Sequence, residues 1–324
     1  MTPIRLAIVG ATGMVGQTTL AVLQEWNIPL ADLRLYASSE SAGKRLQYGG
    51  RDLVVEALTD DIPADFVILA LSADLAREWA PRLAERGLRI IDHSSAWRMD
   101  PAVPLVIPEI NAHTLVRAGR IVANPNCSAS VALMGLAPLE RAIGLRRVIA
   151  ATYQSVSGAG IAAVEELRNQ NTGDSGTVSA LPRRICGNVF PEIGSLDATA
   201  YTGEETKIAQ EIRKILERPD LHASATAVRV PVEVGHAVAV SVELARQVEI
   251  AEVTAALCDF PGLINDGPSY ATPLEIAGKQ DVRVGRVRLD PQDPNWLHFW
   301  IVGDNTRKGA ASNAVQILLH WAAL

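Results

Sequence analysis

One cysteine stands in the middle of a polar turn, Asn124-Pro125-Asn126-Cys127-Ser128. An apolar, strand-like run (120–123) precedes it, and a small-residue run able to begin a helix (129–139) follows. A thiol in the first turn of a helix feels the partial positive charge of unpaired N–H groups, which lowers its pKa and favours the nucleophilic thiolate. A solitary cysteine is more often a small packing residue, so the turn alone does not carry the reading. Cys186 and Cys258 lie in apolar surroundings and read as packing residues only.

The N-terminal residues narrow the choice. Residues 4–9 (IRLAIV) read as a buried strand, Gly10-Ala11-Thr12-Gly13-Met14-Val15-Gly16 follows at once, and 17–26 has helical spacing. Glycines at such a strand-to-helix turn let backbone amides approach a pyrophosphate seated on the helix N-terminus. The spacing is GxxGxxG rather than GxGxxG, so the strand–turn–helix setting carries the reading. A nicotinamide site together with an activated thiol points to one chemistry. The thiolate adds to an aldehyde, hydride passes to the cofactor, and a thioester remains for water or phosphate to release.

Candidates for the other roles are present. His236, beside Gly235 at the start of a strand, is the best placed of six histidines for acid–base work, with a satisfied strand-end histidine as the alternative. Arg98 follows a strand end, and Arg229 sits inside the apolar run Ala227-Val228-Arg229-Val230-Pro231. A buried guanidinium needs an anion: a substrate carboxylate, a phosphate or a structural ion pair would each serve. Glu204 and Lys207 share one helical face, where a solvated ion pair is the plain alternative.

These groups must be held by a sizeable scaffold. The chain has 324 residues, 48% hydrophobic and 20% charged, with a formal net charge of −6. That suits a globular protein of two domains and argues against a nucleic-acid binder. The three cysteines suggest neither a disulfide framework nor a metal site. With a strand starting at once and no long uncharged span, the expectation is a cytoplasmic protein without signal peptide or membrane segment. Up to about 125, strand-like segments (33–37, 53–56, 66–71, 89–92, 121–123) alternate with helices such as 74–86, which predicts a Rossmann-type, doubly wound parallel sheet. Beyond Cys127 the pattern changes to an α+β domain with a mostly antiparallel or mixed sheet: strands at 148–156, 224–231, 236–244, 285–289 and 297–302, helices at 161–170 and 204–218, and a polar loop at 171–176. A clean helix is expected at 308–321.

The assembled pieces closely resemble the aspartate-β-semialdehyde dehydrogenase family. The likeness runs through GATGMVG (10–16), SAGK (41–44), SSAWRMD (94–100), PLVIPEIN (104–111), NPNCS (124–128), ATYQSVSGAG (151–160), YTGEETK (201–207), RVPVEVGHA (229–237) and DNTRKGAASNAVQ (304–316). The resemblance implies that Cys127 is the thioester nucleophile and His236 the general acid/base, with Asn126 and Gln154 positioning thiol and substrate. Arg229 would bind the substrate α-carboxylate and Glu204 its amino group, while Arg98 and Lys207 would hold phosphate. Gly10, Thr12, Gly13, Met14, Val15, Gly16, Ser38, Ser39, Ser157, Gly158 and Gln316 would line the cofactor site.

By the same resemblance, residues 1–126 and 305–324 form a discontinuous dinucleotide-binding domain, 127–304 the catalytic and dimerisation domain, and the protein a homodimer. The implied reaction is NADP-dependent conversion of L-aspartyl 4-phosphate to L-aspartate 4-semialdehyde, with inorganic phosphate as co-product, towards lysine, methionine and threonine. One position departs from the family: relatives often carry an arginine in the loop after the second strand, where this chain has Glu40. NADP remains the expected cofactor through Ser38, Ser39 and Lys44, with NAD tolerated as the alternative. N-acetyl-γ-glutamyl-phosphate reductase is the nearest rival; it usually has glycine before the cysteine and lacks the RVPVEVGHA segment. A non-catalytic binding paralogue would be expected to lose the nucleophile or its acid/base.

Overall fold

The strand Ile4–Val9 (β1) is buried at every position except Arg5. A computed structural model describes residues 3–173 and 178–324. After β1 come α1 (Met14–Glu25), β2 (Leu30–Ala37), β3 (Arg45–Tyr48), β4 (Arg51–Ala57), β5 (Phe66–Leu69), α2 (Ala73–Glu85), β6 (Arg89–Asp92), α3 (Pro108–Asn111) and β7 (Ile121–Ala123). The chain continues with α4 (Cys127–Ala142), β8 (Leu145–Gln154), α5 (Ile161–Asn171), α6 (Gly203–Ile215), β9 (His222–Arg229), β10 (His236–Leu244) and α7 (Ile250–Cys258). It closes with β11 (Leu263–Asn265), α8 (Pro273–Ile276), β12 (Val282–Leu289), β13 (Trp296–Gly303) and α9 (Ser312–Ala322).

Two compact units result, Met1–Pro125 with Ala310–Leu324, and Asn126–Gly309. The first holds a seven-stranded sheet in the order β3-β4-β2-β1-β5-β6-β7. It is parallel except for the β3–β4 hairpin at its edge. Successive residues of β1 feed opposite layers, which is why its sequence is an unbroken apolar run. Leu6 and Ile8 pack with Leu23 of α1 and Val315, Leu318 and Trp321 of α9. Ala7 and Val9 pack with Ala76, Ala80 and Leu83 of α2. Trp321 meets Phe66 edge-on at 5.8 Å, fixing the C-terminal helix to the first unit's core.

The second unit is built on a six-stranded mixed sheet, β11-β12-β13-β10-β8-β9. Pairs β8–β9 and β11–β12 are parallel and the other three antiparallel. Helices α4, α6 and α7 pack on it, and α4 is buried from Ser128 to Leu139. The two-sheet architecture expected from the sequence is the one that forms.

Local differences have local causes. The expected terminal helix begins as a π-helical turn, Arg307–Ala311, before α9. The expected strand 148–156 starts earlier and stops at Gln154, where a 3₁₀ turn (Val156–Ala159) takes over. The loop expected at 171–176 opens with the end of α5 at Asn171 and a turn at Thr172-Gly173; positions 174–176 lie outside the described residues. Asn126 groups with the second unit as the cap of α4, and so do 305–309. Among the described residues no helix is long and apolar enough to cross a membrane.

Candidate active site

Cys127 is the first residue of α4. Asn126 caps that helix: its Oδ1 accepts from the backbone N–H of Ser128 (2.9 Å) and of Ala129 (3.1 Å). Two carboxylates hold the cap in turn. The Asn126 N–H donates to Glu211 Oε2 at 2.6 Å, and its Nδ2 donates to Glu204 Oε1 at 2.8 Å. Glu211 is fully buried, so the turn that presents the thiol is anchored from inside the unit. Cys127 itself is half-buried, whereas the twelve residues after it are buried. The helix N-terminus favours its thiolate. Gly309 passes so close that a Cβ there would lie 2.9 Å from Cys127 Cβ, so a side chain at 309 would press on Cys127.

Glu204 joins this turn to the sheet. Its Oε1 also accepts from Gln154 Nε2 at 3.2 Å. Glu204 forms no ion pair with Lys207, which is half-buried and has no side-chain partner among the described residues. Arg229, only 4% exposed at the end of β9, donates from Nη1 to the Ser155 carbonyl at 2.7 Å. Burial lowers its pKa from the usual arginine value, and the negative charges of Cys127 and Glu204 oppose that shift. The guanidinium stays a cation. With one protein acceptor among the described residues for five N–H donors, it has donors left for a bidentate carboxylate.

His236 opens β10 and is completely buried. Burial and the nearby Arg229 charge push its pKa well below the usual histidine value, so the ring is neutral at pH 7. Its Nδ1 lies 3.2 Å from the Ser155 N–H and 3.0 Å from Ser155 Oγ. Among the described residues its Nε2 has no hydrogen-bond partner. A Cβ on Gly158 would stand 3.1 Å from both His236 Nε2 and Arg229 Nη1, so the imidazole edge and the guanidinium converge on one residue without a side chain. Ser157 is also buried, with its hydroxyl bonded to Asn305.

The remaining residues named from sequence belong to the first unit. Gly10 has φ +82°, and a Cβ there would fall 2.2 Å from the Ala70 carbonyl oxygen; a Cβ on Gly16 would fall 2.4 Å from the Gly10 oxygen. Both turns of the chain therefore require glycine. Gly13 is the N-cap of α1, with no side-chain capping bond and no acidic residue in the first turn. The first amides of α1 are thus open to an anion, beside Thr12, Met14 and Val15, at the end of the central strand. This cradle fits a dinucleotide pyrophosphate. Beyond β2, Ser38, Ser39, Glu40 and Lys44 are all exposed, and Lys44 Nζ reaches Ser41 Oγ at 3.4 Å. Arg98 is buried and donates to the Asn124 carbonyl (3.0 Å) and the His93 carbonyl (2.7 Å). Gln316 donates to Glu109 at 2.8 Å.

Comparison with known proteins agrees with this layout. The family described as semialdehyde dehydrogenase, NAD binding domain, matches residues 5–118, and semialdehyde dehydrogenase, dimerisation domain, matches 136–308. The aspartate-semialdehyde dehydrogenase of Aquifex aeolicus (strain VF5) is 41% identical over 327 residues, 97% of this chain and 96% of that one. This chain belongs to the aspartate-semialdehyde dehydrogenase family. The Synechocystis member (strain ATCC 27184 / PCC 6803 / Kazusa) is 40% identical over 97% of this chain and 96% of its own. Aspartate semialdehyde dehydrogenase II from Vibrio cholerae, solved complexed with ASA, superposes with a TM-score of 0.97 at 36% identity, covering 100% of this chain and 99% of that one. The family assignment makes the chain an oxidoreductase of amino-acid biosynthesis carrying a nucleotide-binding domain and a dimerisation domain.

Within the aspartate-semialdehyde dehydrogenase fold, the second unit brings Asn126, Gln154 and Glu204 into one hydrogen-bonded set, with Cys127 in the capped turn and Arg229 under its charge. His236 and Gly158 adjoin Arg229. Four residues here were not singled out from sequence: Glu211, Gly309, Ser155 and Asn305.

Proposed function

We propose that the chain converts L-aspartyl 4-phosphate to L-aspartate 4-semialdehyde, reversibly and with release of phosphate, through a thioester on Cys127, and that NADP is its cofactor. The observation that carries this reading is Cys127 at the capped N-terminus of α4, within the same unit as a buried arginine that has one protein acceptor among the described residues. In the semialdehyde direction the Cys127 thiolate attacks the aldehyde carbon, and the C=O π electrons move to oxygen. His236 exchanges the proton on that oxygen. Bound nicotinamide supplies or accepts the hydride that separates the thiohemiacetal and thioester levels. Phosphate then attacks the thioester carbon, the C–S bond breaks, and Cys127 leaves as the thiolate. Arg229 clamps the α-carboxylate, Glu204 faces the ammonium, Gln154 and Asn126 orient the reacting groups, and Arg98 and Lys207 bind phosphate.

Gly10, Thr12, Gly13, Met14, Val15 and Gly16 are proposed to hold the pyrophosphate, with Ser38 and Ser39 at the ribose phosphate and Ser157, Gly158 and Gln316 as further cofactor residues. The exposed hydroxyls of Ser38 and Ser39 and the Lys44 ammonium favour a 2′-phosphate, while Glu40 opposes it. Phosphate-dependent reduction of NADP+ and of NAD+ with aspartate semialdehyde, beside N-acetylglutamate semialdehyde, tests the proposal. We expect kcat/KM for NADP+ to exceed that for NAD+ by about tenfold or more, roughly 1.4 kcal/mol. The acetylated substrate, which has no ammonium for Glu204, should be turned over far more slowly. Preference for NAD+ would overturn the cofactor assignment, and preference for the acetylated substrate the reaction.

The same reading includes a homodimer formed through the sheet face that α4, α6 and α7 leave uncovered. That face carries Ile149 at 48% exposure and Tyr153 at 38%, beside a hollow lined by Ala239, Tyr270, Phe299 and Trp300. Exposed apolar area of this kind marks an association surface. Sedimentation should give the mass of two chains, and Ile149→Asp should shift it towards one; a monomeric parent protein would refute the dimer. No partner beyond substrate, phosphate and cofactor is proposed, nucleic acid and membrane included, and the proposed compartment is the cytoplasm.

A further inference from the structure

A helix that starts at an asparagine cap can close its first turn reciprocally. The cap side chain takes N–H groups above it, and a Glu or Gln three residues on returns to the cap's own N–H. α4 has only the first half of that arrangement. Asn126 Oδ1 accepts from the Ser128 and Ala129 N–H groups, but the residue three positions after the cap is Ala129, and the first turn carries no acid. Ala129 is fully buried, so a longer capping side chain has no room there. The N–H of Asn126, a residue only 6% exposed, must find its acceptor elsewhere in the fold.

Glu211 supplies it. Its Oε2 accepts from the Asn126 N–H at 2.6 Å across 85 residues of chain, and its side chain is fully buried. Glu204 lies seven residues earlier on α6, about 10.5 Å along the axis and nearly on the same face. Its Oε1 accepts from Asn126 Nδ2 at 2.8 Å. Two turns of α6 therefore grip one residue, one at the backbone and the other at the side chain. The direction of each bond is fixed. A backbone N–H only donates, so Asn126 must turn its Oδ1 to Ser128 and Ala129 and its Nδ2 to Glu204. α6 is held in its turn: Glu205 caps it with Thr202 and accepts from the Ala227 N–H of β9 at 3.0 Å.

We infer that Glu211 is a positioning residue for the reaction, completing the cap of α4 from another helix and so fixing where the Cys127 thiol stands. This rests on the proposed role of Cys127 as nucleophile. Cys127 follows Asn126 directly, so a shift of the cap carries the sulfur with it, and about 1 Å of misplacement can cost on the order of 10²-fold in rate. Reach matters here more than charge, because the group that Glu211 serves at the cap is a neutral N–H.

The test compares Glu211→Asp, Glu211→Gln and Cys127→Ala by kcat and KM with aspartate semialdehyde, and the first two also by the rate at which iodoacetamide alkylates Cys127. Aspartate keeps the charge but falls one methylene short of Asn126; glutamine keeps the reach and an acceptor oxygen. Glu211→Asp should lower kcat by about tenfold or more while KM stays within about twofold. It should also slow alkylation by about threefold, as the loosened turn gives up part of its hold on the thiolate. Glu211→Gln should keep both rates within about threefold of the parent. Parent-like kcat in Glu211→Asp, or Glu211→Gln as poor as Glu211→Asp, with Cys127→Ala inactive, would overturn the role of Glu211 alone. An active Cys127→Ala would instead overturn the role of Cys127. Should Glu211→Asp fail to fold, amide hydrogen exchange of the parent protein decides the matter. The Asn126 N–H should be as protected as the interior of α4, and exchange at the rate of a fraying helix end would contradict the inference.

Discussion

Alanine at position 127 should lower the phosphate-dependent kcat with aspartate semialdehyde by on the order of 10⁴-fold or more, the scale of losing a covalent nucleophile. The fold should survive. Cys127 is half-buried at the first position of α4, and alanine keeps the Cβ that Gly309 was shaped to pass. The cap is made by Asn126 and not by the cysteine, so the helix start is unaffected. Far-ultraviolet circular dichroism and the dissociation constant for NADP+ should match the parent protein. Cys127→Ser should be nearly as poor, because a helix N-terminus cannot bring an alcohol's pKa near neutrality. Activity within tenfold of the parent in the alanine variant would remove the thioester from the mechanism.

The second large effect is expected at Arg229. Arg229→Leu should reduce kcat/KM by about 10³-fold, mostly through KM, since truncating one partner of a buried charge pair costs roughly 2–5 kcal/mol. Arg229→Lys should recover only part, because an ammonium cannot form the two parallel bonds of a guanidinium fork. The parent arginine also donates to the Ser155 carbonyl, so some loss could be structural. An aldehyde lacking the α-carboxylate separates the two causes. Parent and leucine variant should handle it about equally poorly if Arg229 serves the carboxylate; an equal loss on both substrates would contradict that role.

How much of this was legible in the sequence differs between scaffold and site. β1 and its glycine turn were readable because a strand buried on both faces must be apolar throughout and its exit admits no side chains. The hairpin β3–β4 was not singled out, although Gly49-Gly50, with φ of 57° and 75°, is a two-residue turn of the kind that joins antiparallel strands. Its flanking residues are half-exposed edge positions, and their mixed polarity hid the alternation. Within the site, residues with unusual chemistry for their surroundings stood out: a cysteine in a turn, an arginine in an apolar strand, a histidine beside glycine.

The residues behind them did not. Glu211 lies seven positions after Glu204 on α6, hence on the same helical face, and that spacing was an available clue. Its bond to the Asn126 N–H spans 85 residues, which no local pattern encodes. Asn305 lay within a motif already quoted, but its meeting with Ser155 depends on tertiary closure 150 residues apart. Local periodicity reports which face a residue takes; it does not report which distant backbone group needs an acceptor there.

The central claim is that Cys127 carries the acyl group, and one measurement addresses it most directly. The protein is mixed with aspartate semialdehyde and NADP+ without phosphate, quenched in acid, and digested for peptide mass analysis. The peptide containing Cys127 should gain one aspartyl group, in step with a burst of about one NADPH per site, and phosphate added before the quench should remove it. NADPH formation with Cys127 unmodified, or with the aspartyl group on another residue, would contradict the account.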